Sequence, residues 1–232
     1  MTEGWIEKGG VYVPAATPGP RGLMLGFTAR AAGDFSTPGA DRKLLGGIGG
    51  NRLRLLHQVH GVTLVDTSFE GEPPDGDGWA GDFRPGDFYG VKTADCLPVL
   101  IWSGVAPLGA AVHAGWRGAT AAIAAKAVKA VGADLGALHA AIGPCIGPCC
   151  YEVGSDVAEA AGKDGRWLRA TTPGKFTFDL AAYVRWELEM TGIPGRNISG
   201  PALCTRCNPA LFFSHRADGT KARMVGFIGI SS

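Results

Sequence analysis

No run of about eighteen apolar residues, the length needed to cross a bilayer as a helix, occurs in this chain. The N-terminus carries Glu3, Lys8 and repeated glycine and proline before Arg21, and so lacks the continuous apolar stretch of a secretion signal. A cytoplasmic protein with no membrane partner is expected. Charge of one sign is also missing: 22 lysines and arginines face 21 aspartates and glutamates, a net charge of +1. Such a balance provides no broad field to attract nucleic acid, and a small-molecule ligand is expected instead. The 37 glycines and 15 prolines are spread without a repeat, which excludes collagen-like and low-complexity chains.

What is present is a chain of 232 residues, 46% of them hydrophobic, enough for a substantial core. No linker or shift of composition divides it, so residues 1–232 are read as a single domain. Its expected class is α/β (mixed α+β), with a mixed β-sheet core flanked by helices. Short strands are expected over residues 10–14, 23–29 and 62–67, and a helical turn over 41–45. Three strongly apolar runs, 88–91, 97–102 and 110–113, predict strands buried on both faces. An alanine-rich stretch over 118–131, followed by Gly132, predicts one helix, and another is expected over 151–161. Asp179 reads as the N-cap of a helix that Gly192 and Pro194 stop. Strands are expected again over 138–142 and 224–230. Residues 70–86, with Asp75, Asp77 and Asp82 among glycine and proline, read as a solvated loop, since the spacing of a calcium loop is absent.

The reactive side chains concentrate in Thr93-Ala94-Asp95-Cys96 and in His113-Ala114-Gly115-Trp116-Arg117-Gly118, with His60 upstream in Gln58-Val59-His60-Gly61. Two imidazoles and a thiolate can make an open zinc site with a vacant fourth position; a Cys96 nucleophile with His60 or His113 as base competes with it, as does a buried structural cysteine beside a satisfied core histidine. Asp95 would then be a second acceptor behind a ligand, or the acid/base for the substrate. Arg117, Gly115 and the amides that open the next helix offer an anion site; the competing reading pairs Arg117 with a carboxylate and leaves Gly115 a turn residue. His215, among Ser214, Arg216 and Asp218, is a candidate for the substrate pocket. Six cysteines in a reducing compartment stay reduced or bind metal. Cys204 and Cys207 have the spacing of a zinc knuckle, whereas Cys145, Cys149 and Cys150 do not, so pairing, a second metal and simple burial all stay open.

Taken in order, Gln58-Val59-His60-Gly61, Thr93-Ala94-Asp95-Cys96-Leu97-Pro98, His113-Ala114-Gly115-Trp116-Arg117-Gly118, Ile146-Gly147-Pro148-Cys149-Cys150-Tyr151-Glu152-Val153, and Cys204-Thr205 with Phe212-Phe213-Ser214 resemble the YfiH or laccase-domain family, also labelled polyphenol oxidase. An echo precedes them at Phe27-Thr28-Ala29-Arg30. The resemblance implies a YfiH-like α/β domain and a zinc site at His60, Cys96 and His113. It also implies phosphorolysis of adenosine, inosine or methylthioadenosine, with phosphate as co-substrate, and adenosine deamination. Copper-dependent phenol oxidation and editing of peptidoglycan precursors are further activities attached to the family. Five histidines are too few for the several imidazole-rich centres of a multicopper oxidase, so zinc is preferred over copper. The family's Ser-Leu-Asn-Leu-type segment is missing from residues 31–50. That absence bears on substrate choice and keeps a non-catalytic metal-binding module among the readings. Cys145 and Cys207 are additions to the family pattern, and His215 stands where tyrosine is commoner.

Overall fold

A computed structural model of the protein describes residues 4–162 and 165–232. In chain order the strands are β1 (Trp5–Lys8), β2 (Val11–Pro14), β3 (Leu23–Thr28), β4 (Arg52–Arg54), β5 (Leu64–Asp66), β6 (Gly78–Asp82), β7 (Asp87–Thr93), β8 (Leu97–Ser103), β9 (Leu108–Ala114), β10 (Leu138–Ile142), β11 (Glu152–Gly154), β12 (Leu168–Ala170), β13 (Lys175–Phe178), β14 (Ile198–Ser199) and β15 (Met224–Ile230). The helices are α1 (Asp41–Ile48), α2 (Trp116–Thr120), α3 (Ile123–Val131), α4 (Ser155–Ala160), α5 (Leu180–Met190) and α6 (His215–Asp218).

Two six-stranded sheets carry the fold. The first runs β1-β2-β3-β15-β7-β4 and the second β14-β10-β8-β9-β6-β5, both antiparallel inside, with parallel pairs only at their edges. Strand β8 shows why they lie face to face. Every one of its residues is buried, and successive side chains of a strand point to opposite faces. Leu97, Val99 and Ile101 enter a core with Ile123 and Ala127 of α3 and Val184 and Leu188 of α5. Leu100 and Trp102 enter a second core with Leu25, Phe27, Tyr89 and Ile228 of the first sheet. On the outer face of that sheet, Leu44, Leu45 and Ile48 of α1 cover Phe88, Val225 and Phe227. The layers are therefore α1, first sheet, second sheet, and the helices α3 and α5. The expected mixed α/β class is met, with the sheet core doubled. Among the described residues no helix is long and apolar enough to cross a membrane.

Three segments differ from expectation. The alanine-rich stretch is two helices, because Ala122 takes a left-handed conformation at φ 63° and redirects the chain between α2 and α3. Residues 152–154 form β11, whose Val153 pairs with Phe176 of β13, and the helix is confined to Ser155–Ala160. In the acidic stretch 70–86, residues 78–82 form β6, paired with β9 deep in the second sheet. Long-range pairing decides the last two, and neither partner is adjacent in sequence. The Asp179 N-cap is as expected, its side chain accepting from Ala182 N at 2.9 Å.

The break before α3 leaves that helix without a side-chain cap of its own. Glu187 of α5 supplies one: its Oε1 accepts from Ala125 N at 2.7 Å, while Oε2 has no partner and the residue is buried. Burial dominates the balance and pushes the carboxyl up to about 7, against the opposing pull of the α3 amides. A carboxyl with a raised folded pKa keeps its proton in the native state when the unfolded chain has lost it. Stability from this group is accordingly lost as pH rises from the ordinary glutamate range to about 7. Glu187→Gln keeps an acceptor for Ala125 and removes the charge, so its unfolding temperature relative to the wild type should climb between pH 5 and pH 8. A difference that stays flat across that range in thermal melts would rule out this titration.

Candidate functional site

The chain passes from the first sheet to the second between β7 and β8 in three residues, Ala94 to Cys96, with Asp95 at φ 92°. Cys96 thus stands at the seam of the two sheets. In the β8–β9 ladder Leu97 faces Ala114 and Pro98 faces His113, which brings the ends of both strands to the same point. Strand β6 lies on the other side of β9, with Gly78 opposite Val112, and the ladder continues one bond further as Asp77 O accepts from His113 N at 2.7 Å.

His60 reaches the same point from a loop. Gln58 ties that loop to β7, donating to Lys92 O at 2.8 Å and accepting from Lys92 N at 2.7 Å. Asp77, fully buried, accepts from His60 N at 2.9 Å and Gly61 N at 2.6 Å, and from His113 Nδ1 at 2.9 Å. His60 adopts φ 59°, a conformation that non-glycine residues occupy at a cost and that these bonds hold in place. His60, Cys96 and His113 each offer a ligand atom, all within 4.8 Å of one another, and the two rings meet edge to face at 4.9 Å between centroids.

The donor set fits a metal. Asp77 occupies Nδ1 of His113 and so leaves Nε2 for coordination, the usual carboxylate–histidine arrangement behind a metal ion. Burial alone would raise the Cys96 thiol, but hydrogen bonds and charge from His113 and His60 win and hold it down to about 6. Burial likewise opposes the charged form of His113, yet Asp77 and Cys96 push it up to about 9. Each group thus favours the charged form of the other, and a cation bound here would be held by the same thiolate and imidazole. Gly115 leaves the room: a Cβ there would lie 3.3 Å from both Cys96 Sγ and His60 Cδ2.

Above the cluster opens a cavity of about 480 Å³, within the range of small-molecule sites. Its lining includes the apolar Ile146, Tyr151 and Leu180 and the cations Lys92, Arg216, Lys221 and Arg223, with the Arg216 guanidinium 5.4 Å over the Tyr151 ring. His215 lines it, at the start of α6, whose N-cap Ser214 accepts from Ala217 N at 3.2 Å. Asp95 lines it too, with its carboxylate engaged: Oδ1 accepts from Thr205 Oγ1 at 2.6 Å and Oδ2 from Arg216 N at 2.7 Å. Arg117 is absent from the lining; it is exposed, with its guanidinium 4.4 Å over the Trp116 ring. Of residues 31–50, Ser36 reaches the cavity, held by Asp34, whose Oδ1 also accepts from Arg223 N at 2.9 Å. Asp77 escaped sequence reasoning, since its neighbours Asp75 and Asp82 are exposed. The available signal was the apolar Trp79-Ala80 directly after it, which marks a strand entering the core.

Residues 39–231 match the family described as multi-copper polyphenol oxidoreductase laccase. The chain belongs to this family. Within it, the chain is 32% identical to a purine nucleoside phosphorylase, YlmD, of Geobacillus stearothermophilus, over 97% of this chain and 94% of that one. The crystal structure of YlmD superposes with a TM-score of 0.88 at 28% identity, covering 99% of each chain. The purine nucleoside phosphorylase YfiH of Escherichia coli is 35% identical over 75% of this chain and 72% of its own length. An adenosine deaminase, RL5, from an unknown prokaryotic organism is 38% identical over 58% of this chain and 54% of its own.

Replacing Asp77 by asparagine gives up one acceptor oxygen and turns an amide NH2 towards groups that are themselves donors. Asp77→Asn should therefore weaken metal retention about 10- to 100-fold, as loss of a partner behind a metal ligand typically does. Competition with a chromophoric chelator measures it, and an unchanged affinity would remove Asp77 from the metal site.

Proposed function

We propose that this laccase-family protein is a zinc-dependent purine nucleoside enzyme that cleaves adenosine, inosine or methylthioadenosine with phosphate and also deaminates adenosine. The observation that carries the reading is the His60–Cys96–His113 cluster in a cavity that Lys92, Arg216, Lys221 and Arg223 also line. The names of YlmD, YfiH and RL5 support the same chemistry. Zinc held by His60, Cys96 and His113 would supply Lewis acidity, which serves either reaction. Lys92 and Lys221, with Arg216 and Arg223 beside them, hold phosphate near the sugar; the attack forms a C1′–O bond as the C1′–N9 bond breaks, and the base leaves with the electron pair.

Tyr151, Ile146 and Leu180 give the flat base an apolar surface to lie on. Asp95 is the only carboxylate among the described residues lining the cavity, and we assign it proton transfer to and from the base. Thr205 and the Arg216 amide keep it aimed. Ser36 stands in for the segment lacking in residues 31–50 and contributes to substrate choice. Copper oxidation of phenols is disfavoured, since this cluster holds two imidazoles and the other candidate metal group among the described residues is made of cysteines alone.

Purified protein should release free base and ribose 1-phosphate from inosine only when phosphate is present, and Cys96→Ala should lose both zinc and turnover. Protein that holds zinc stoichiometrically yet converts none of the three nucleosides, with or without phosphate, would end the enzyme reading in favour of a metal-binding module. Oxygen uptake with a phenol after copper loading should stay at background.

The phosphate wall has its own test. Lys92→Ala should raise KM for phosphate about tenfold, equivalent to about 1.4 kcal/mol, with KM for nucleoside little changed. Arg117→Ala should leave phosphate binding alone; the reverse pattern in steady-state kinetics would return the anion site to Arg117.

A further inference from the structure

Away from the cavity the fold gathers four cysteines that sequence spacing does not connect. Two irregular segments run side by side, since Thr205 N donates to Cys145 O at 2.9 Å and Cys145 N to Leu203 O at 3.3 Å. A turn after each brings the thiols together: Cys150 N donates to Gly147 O at 2.9 Å, and Asn208 Nδ2 to Cys204 O at 2.8 Å. The sulfurs of Cys149, Cys150, Cys204 and Cys207 all lie within 4.8 Å of one another. Cys207 Sγ is 3.4 Å from Cys149 Sγ and equally 3.4 Å from Cys150 Sγ.

We propose that Cys149, Cys150, Cys204 and Cys207 hold a zinc ion as a closed, structural four-thiolate site, separate from the cluster in the cavity. Four sulfurs placed tetrahedrally at the usual zinc–sulfur distance of about 2.3 Å are about 3.8 Å apart, within the spread of spacings here. A disulfide would join two and leave two, and the equal distances from Cys207 single out no pair. All four are free. The Gly147 amide donates to Cys204 Sγ at 3.2 Å, the kind of N–H···S bond that supports a metal thiolate. Gly147 also keeps the cluster uncrowded, since a Cβ there would stand 3.2 Å from Cys204 Cβ and 3.4 Å from Cys149 Sγ. The ion would tie the turn that precedes Tyr151 to the segment whose Thr205 holds Asp95, bracing one side of the cavity.

Protein purified from zinc-supplemented cells without chelator should contain two zinc ions per chain by native mass spectrometry and elemental analysis. Cys207→Ser and Cys96→Ala should each retain one, and the double variant none. Cobalt exchanged into Cys96→Ala should give sulfur-to-metal charge transfer and the visible bands of a tetrahedral ion, both lost in the double variant. A wild-type zinc content that Cys207→Ser leaves unchanged, zinc-free Cys96→Ala, or an intact mass lower by two hydrogens from a disulfide among these cysteines would overturn the proposal. The wild-type count needs no variant to fold. Because the metals are counted without reference to turnover, loss of this site and failure of the nucleoside reading give different results.

Discussion

A single buried carboxylate, that of Asp77, holds the centre together. A carboxylate with no access to water is expensive unless its oxygens are filled with donors. Here a ring N–H of His113 and the amides of His60 and Gly61 fill them, and they keep its pKa below the ordinary aspartate range despite the opposing effect of burial. The same bonds build the site. One fixes the tautomer and orientation of His113; the others pin the loop that delivers His60 in a left-handed backbone conformation it would not hold alone. Two ligands from distant parts of the chain are thus hung on one acceptor, and the carboxylate cannot be replaced without disturbing both.

The third ligand depends on a different constraint. Cys96 owes its place to the crossing between sheets, where β7 ends in the first and β8 begins in the second. Only a tight turn fits between them, and Asp95 takes the strained position within it at φ 92°. Its side chain offsets that strain by accepting from Thr205 and Arg216, and so binds the C-terminal segment to the seam. Asp95 therefore combines a structural task with its place on the cavity wall. That combination explains why an ionisable residue can sit at a backbone position where glycine would be the cheaper choice.

Sequence made legible whatever is encoded locally. The apolar runs of β8 and β9 could only be strands covered on both sides, Asp179 caps α5, and the histidines and cysteine of the cavity were recognisable as one chemical set. Asp77 was hidden because its burial is created by β6 pairing with β9, some thirty residues on, while its neighbours have the composition of a loop. The break at Ala122 has no signal in a run of alanines, and the strand at Glu152–Gly154 exists only through its pairing with β13. Cys204 and Cys207 had the spacing of a zinc knuckle, but Cys149 and Cys150 did not look like their partners, because that grouping is set by two turns meeting in space. Arg117, placed beside His113 by sequence, is turned outward over Trp116.

That outward turn leaves the positive charge at the cavity to other residues. A divalent zinc at the cluster would be balanced by the thiolate of Cys96 and the carboxylate of Asp77 behind His113, leaving the centre close to neutral. Such a centre polarises what it touches without itself concentrating anions. If phosphate is the co-substrate, as proposed, its attraction comes from elsewhere: among the described residues lining the cavity, Lys92, Arg216, Lys221 and Arg223 outnumber the one carboxylate. Apart from Lys92 of β7, these cations belong to α6 and the segment that follows it to β15, which Asp95 and Asp34 hold through Arg216 N and Arg223 N. Two aspartates of a nearly neutral protein thus place the positive charge locally where composition alone gave no field.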